Sequence, residues 1–178
     1  MPASAGAGPC STCPPVAAVS ACGQTTVQCL QGLCGAEADK AYLQALIQIN
    51  QQVLALSNNA AIYLGTTFLQ DYATNSIGDS TSRINQSAKW LKTKYCTAIT
   101  TCTPGLSSSL NICATSPYGR EFDDAYRAQL VQYYVDEIAI SQVEVERGLD
   151  SQVKALAARV ISEDQERIRR LTRCNTCI

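Results

Sequence analysis

Positions 39–84 of the sequence recur without a gap 84 residues further on, at 123–168. Eleven of these 46 aligned positions are identical: Asp39/Asp123, Ala41/Ala125, Tyr42/Tyr126, Leu46/Leu130, Gln48/Gln132, Ala55/Ala139, Ser57/Ser141, Ala73/Ala157, Ile77/Ile161, Arg83/Arg167 and Ile84/Ile168. Each copy holds two stretches with apolar residues three and four apart, separated by a glycine break. That pattern is an amphipathic helical hairpin. A lone hairpin cannot bury its apolar faces, whereas two stacked copies can. The repeat therefore predicts an all-α fold, a four-helix bundle built from two antiparallel hairpins over residues 37–95 and 120–172.

The second hairpin is the better patterned. It runs from Phe122 to Leu171 and breaks at Gly148-Leu149-Asp150. Gly148 is expected in the left-handed conformation that ends many helices, with Asp150 or Ser151 capping the next. Val153, Leu156, Ala157, Val160, Ile161, Ile168 and Leu171 share one face of that helix. In the first hairpin, Tyr42, Ala45, Leu46, Ile49, Val53, Leu56, Ala60 and Tyr63 form a stripe, Gly65 breaks it, and Thr66 or Thr67 caps the next helix. That helix uses Leu69, Tyr72, Ala73, Ile77, Ile84, Ala88 and Leu91. Ser76, Ser80 and Ser87 interrupt it and Gly78 sits mid-helix, so it is predicted to be the weakest.

Three segments fall outside the hairpins. Residues 1–36 carry no charged side chain and read as an irregular, small-residue arm, stapled onto its own domain or docked on a neighbouring subunit. Residues 96–119 form a cysteine-containing loop, and 173–178 a C-x-x-C tail. All ten cysteines lie in or beside these segments: Cys10, Cys13, Cys22, Cys29, Cys34, Cys96, Cys102, Cys113, Cys174 and Cys177. An even, high cysteine count points to a disulfide framework or to cysteine-only metal sites. The pairs Cys10/Cys13 and Cys174/Cys177 have the ligand count of a structural zinc site, which is the alternative to disulfides throughout. If the hairpins pack with their chain ends together, all ten cysteines collect at one pole; this is the expected arrangement.

Much chemistry is excluded by residue type. The chain has no histidine, so the commonest general base and metal ligand are missing. A net charge of −1 gives no electrostatic footprint for nucleic acid or an anionic membrane. No apolar run is long enough to span a bilayer, and the first ten residues lack the basic and apolar regions of a secretory signal. Glu137, Glu144, Glu163 and Glu166 cannot form a ferritin-type di-iron site without histidine. They read as a solvated face paired with Arg167 and Arg170. Tyr133 and Tyr134 read as core aromatics with a hydroxyl reaching a partner. Asn85-Gln86-Ser87 is a glycosylation sequon falling inside a helix and reads as incidental. No nucleophile has a base at a recognisable spacing, so no catalytic residue is assigned.

The run Glu146-Arg147-Gly148-Leu149-Asp150-Ser151-Gln152-Val153-Lys154-Ala155-Leu156-Ala157 resembles the central motif of a ferritin-like family of duplicated helical hairpins. That family is found mostly in bacterial secreted or periplasmic proteins, has no assigned function, and includes some copper-binding members. The resemblance covers about 122–171 well and 39–91 weakly. It implies the four-helix fold. It also implies where ligands would stand: the family's paired histidines fall at Tyr133 and Tyr134, and its methionines at Ile140 and Leu171. The matching places in the first copy are Ile49, Asn50, Leu56 and Ser87. No imidazole or thioether remains at any of them, so the fold is carried over without a soft-metal site. The resulting expectation is a non-enzymatic structural or assembly protein with no cofactor and no small-molecule substrate, partnered by other protein chains. Its setting would be oxidising: a virion, as a minor capsid or cementing protein, or an extracellular surface or filament. The alternative is a zinc-binding module.

Overall fold

A computed structural model describes residues 18–96 and 118–173. These form five helices: α1 (Ala21–Gln31), α2 (Ala36–Ala60), α3 (Thr67–Tyr95), α4 (Arg120–Arg147) and α5 (Ser151–Thr172). The four long helices are the two hairpins of the repeat, α2–α3 and α4–α5, and the fold is an all-α bundle. Thr66 caps α3 by accepting from Leu69 N. Asp150 caps α5, its Oδ1 accepting from Gln152 N at 2.8 Å and Val153 N at 3.2 Å. Leu43, Leu46, Ile49, Val53, Leu69, Leu130, Ile140, Val153, Leu156 and Val160 are all buried in one contiguous core.

The hairpins pack head to tail, with α2 antiparallel to α4. Gly35, at the start of α2, donates its N–H to Arg147 O at the end of α4. Gly65, in the α2–α3 turn, donates to Asp123 Oδ1 at the start of α4, at 2.9 Å. This overturns the expected packing of the two hairpins with their chain ends together. Cys34 and Cys96 flank the pole that carries the Gly148 turn, while α4 begins and α5 ends at the opposite pole. The reason is polar. A buried carboxylate at the start of each hairpin finds backbone N–H donors in the turn of the other. Asp39 accepts from Leu149 N and Asp150 N, and its repeat mate Asp123 accepts from Gly65 N. Packing the chain ends together would cost both buried carboxylates these backbone donors.

The same two-fold relation runs through the core. The Tyr42 and Ser141 hydroxyls pair at 3.1 Å, and their repeat mates Tyr126 and Ser57 pair at 3.0 Å. Arg83 bonds Glu163 across the bundle, and Arg167 bonds Asp79, which occupies the place equivalent to Glu163.

Helix α1 breaks the symmetry and corrects the reading of an irregular arm, since residues 21–31 of it are helical. With no charge, a glycine and three β-branched residues, its local signal is weak. Docking supplies what propensity does not. Asp136, buried on α4, accepts from Ser20 N at 2.8 Å and Ser20 Oγ at 2.5 Å, placing a carboxylate at the positive end of α1. Gly23 allows the approach: a Cβ there would lie 2.6 Å from Asp136 Oδ1. The repeat mate of Asp136 is Gln52, so the first hairpin offers no equivalent seat.

Two local expectations also change. Gly148 is extended (φ −65°, ψ 158°), not left-handed. Its glycine is required for space, because a Cβ would overlap the Glu144 carboxylate and come within 2.8 Å of Asp39 Oδ1. The buried face of α3 is Leu69, Tyr72, Ala73, Ser76, Ser80, Arg83, Ser87 and Leu91. The serines are thus part of the core face, while Ile77 and Ile84 are half-buried and Ala88 is exposed. Gly78 lies on the solvent side of an unbroken 29-residue helix.

Candidate functional site: a buried arginine and carboxylate network

The serine-bearing face of α3 meets α4 and α5 at a charged cluster in the middle of the bundle. Arg83 is 6% exposed and bonds three carboxylates: Glu137 at 3.1 Å, Asp164 at 2.9 Å and Glu163 at 2.9 Å. Glu137 and Asp164 are fully buried. Arg167 bonds Asp164 and Asp79, each at 2.6 Å, and its guanidinium lies 5.5 Å from the centre of the Tyr134 ring. Asn50 on α2 donates both to Leu46 O and to Glu137. Small side chains at Ser76 and Ser80 make room for this cluster, and Ser76 pairs with the Tyr134 hydroxyl at 3.1 Å.

Burial works against the Arg83 charge. The charges of Glu137 and Asp164 and the bonds to Asp164 and Glu163 outweigh it, so the guanidinium pKa is raised further. Glu137 is pushed upward, first by burial and then by the Asp164 charge, against the pull of Arg83. Two inner carboxyls facing two arginines form a nearly neutral set, which is how buried charges persist in a core. Each carboxylate is already bonded to an arginine, an amide or both. An incoming metal or substrate would have to displace those bonds.

Glu137 and Glu144 therefore correct the reading of a solvated acidic face: both are buried. Glu163 and Glu166 are exposed, at the rim. The eight places where the resembled family would carry or mirror its ligands, Tyr133, Tyr134, Ile140, Leu171, Ile49, Asn50, Leu56 and Ser87, are all buried, and no metal-ligating group of three or more histidine, cysteine, aspartate or glutamate side chains occurs among the described residues. Ser87, the acceptor-motif serine of the sequon, is among the buried ones.

Of the candidate cysteines, Cys34 and Cys96 are exposed thiols at the Gly148 pole. Cys22 is half-buried on α1, and Cys29 is disulfide-bonded. Cys10, Cys13, Cys102, Cys113, Cys174 and Cys177, and with them the alternative zinc set, lie outside the described residues. A shallow groove of about 490 Å³ between α4 and α5 is lined by Val135, Ile138, Ala139, Ile168 and Arg169 among others, and carries no acid–base pair. Among the described residues no helix is long and apolar enough to cross a membrane.

The charged network had one signal in the sequence that apolar periodicity passes over. Asp39/Asp123 and Arg83/Arg167 are charged residues retained in both copies of the repeat. Charge kept at the same register of two packed hairpins marks the interface between them.

No family model matches the sequence, and no curated protein matches it. The fold is similar to that of a DUF305 protein of Streptomyces coelicolor, described as a secreted protein. The match has a TM-score of 0.64 and 14% sequence identity, and covers 75% of this chain and 88% of that one. At this identity the likeness is one of fold: an all-helical domain whose function is unassigned.

Proposed function

We propose that this protein is a non-enzymatic structural component: a helical strut that carries its cysteine-rich segments into a larger protein assembly in an oxidising, extracytoplasmic setting. One observation carries the reading. The charged centre of the bundle is closed on itself, with Arg83 and Arg167 taking up Glu137 and Asp164. A core built this way resists deformation and offers no vacant ligand position. In the sequence the cysteines fall outside the four long helices, where cross-links brace or join chains without disturbing the core. The disulfide state of Cys29 and the secreted description of the DUF305 protein favour an extracellular surface structure over the interior of a cell.

The test is made on native material. The protein should be recovered outside the cytoplasm in a particle larger than one chain, and peptide mass spectrometry without reductant should find cysteine cross-links. Ten free thiols in freshly isolated protein, or a cytoplasmic monomer, would overturn the reading.

A further inference from the structure

The two poles of the bundle share a plan, a buried aspartate at the start of one hairpin accepting from the turn of the other, and one pole adds a second buried carboxyl. At one pole Asp123 accepts from Gly65 N, and the neighbouring turn of helix carries Ala60, fully buried. At the other, Asp39 accepts from Leu149 N at 2.8 Å, Asp150 N at 3.1 Å and the Tyr95 hydroxyl at 2.8 Å. There the repeat mate of Ala60 is Glu144. Glu144 is 1% exposed, and no N–H or neutral hydroxyl reaches either of its oxygens. Its neighbour is the Asp39 carboxyl. Both groups crowd Gly148, the one residue that leaves room for them.

Two ionised carboxylates in contact, out of water, repel strongly. Asp39 already has three donors. Glu144 has none, so it carries a proton and donates it to Asp39. We propose that this shared proton is a latch: while Glu144 holds it, the α4–α5 turn stays clamped to the start of α2, and its loss to solvent base at higher pH releases that pole alone.

The surroundings agree. Burial first, then the hydrogen bond to Asp39 and its charge, push the Glu144 pKa up to about 9, while Lys154 on α5 opposes the shift. Asp150 on α5 adds negative charge, and Lys94 on α3 is committed to Asp150 at 2.6 Å. Tyr95 on α3 faces Asp39 with its hydroxyl. The released pole is the one bearing the exposed thiols of Cys34 and Cys96. The inference rests on the Asp39–Glu144 geometry and not on the proposed role.

Amide hydrogen exchange on the full chain tests it, read as protection factors so that the intrinsic pH dependence cancels. Between pH 7 and pH 10, protection of the Leu149 and Asp150 amides should fall by about tenfold or more relative to Gly65 at the other pole. In Glu144→Gln, which keeps a donor toward Asp39 but cannot ionise, the two poles should track each other. Parallel loss at both poles in the native chain, or an unchanged Leu149 profile in Glu144→Gln, would overturn the latch. Carboxyl carbon NMR of the unaltered protein serves where that variant does not fold. Glu144 should titrate far above the ordinary carboxylate range, and a normal titration would equally refute the proposal.

Discussion

Replacing Arg83 by methionine removes the centre of the buried network while keeping an unbranched side chain of similar reach. Its guanidinium bonds Glu137, Asp164 and Glu163 at 2.9 to 3.1 Å. Unscreened attraction at that distance is about 5 kcal/mol per pair at an effective dielectric near 20. The cost of desolvating the arginine, which Arg83→Met abolishes, offsets much of it. What remains is the penalty for leaving carboxylates buried without their partner, about 3–5 kcal/mol for a broken buried pair. Arg167 stays on Asp164 at 2.6 Å, so the loss belongs at the lower end, roughly 3 kcal/mol at pH 7. For a chain of this size that is a fall in Tm of roughly 10 °C. The loss should shrink on acidification, because without the pull of Arg83 the Glu137 carboxyl takes up a proton more readily. Adding Glu137→Gln, which removes the surplus negative charge and retains an oxygen for Asn50, should restore part of the stability. Urea denaturation of the single and double variants at pH 7 and pH 4.5 makes the measurement. A loss below about 1 kcal/mol at pH 7, or the same loss at both pH values, would refute the view that the network is a closed, charge-balanced strut.

Other consequences can be checked by similar means. Gly78→Ala should stabilise by about 0.5–1 kcal/mol, read as a higher urea midpoint, since a Cβ there meets nothing within 4 Å. Gly148→Ala should destabilise by about 1–3 kcal/mol even though its φ of −65° suits any residue, because the new methyl displaces Glu144; equal stability by calorimetry would contradict that packing. Tyr42→Phe and Tyr126→Phe should each cost about 1–2 kcal/mol and, being repeat mates with matching serine partners, should cost nearly the same. Stability should decline from mildly acidic toward alkaline pH. Glu144 is raised by burial and by Asp39 from 4.5 to about 9. A folded pKa above the unfolded one means the native state holds the extra proton, so its stabilising contribution is complete below about pH 4.5 and lost as pH rises toward about 9. A denaturation series across that range should show the slope in the native protein and a shallower one in Glu144→Gln.

Much of the architecture was legible from residues alone. The helices of both hairpins, the breaks near Gly65 and Gly148 and the caps Thr66 and Asp150 follow from apolar spacing and local side-chain chemistry, and both are short-range. The core face of α3 was misread for a definite reason. Periodicity counts apolar residues, so it chose Ile77, Ile84 and Ala88 over Ser76, Ser80, Arg83 and Ser87. Ser76 and Arg83 are held inside by partners that meet them there, and those partners, Tyr134, Glu137 and Asp164, lie more than 50 residues away. Helix α1 was missed similarly, because its stability comes from Asp136 on α4 and not from its own composition.

The sequence by itself determined two like hairpins and therefore a bundle, since amphipathic helices in water must cover their apolar faces and a duplicated pair can cover its own. Hydrophobic burial is non-directional, however, and is satisfied whichever way the second hairpin lies. The head-to-tail choice was decided by the tertiary structure, through hydrogen bonds that have direction. Asp39 reaches the Leu149 turn and Asp123 the Gly65 turn only in that orientation. The same orientation brings Arg83 onto Glu137 and Asp164, so that Glu137, which reads as part of a solvated face, lies at the centre of the protein.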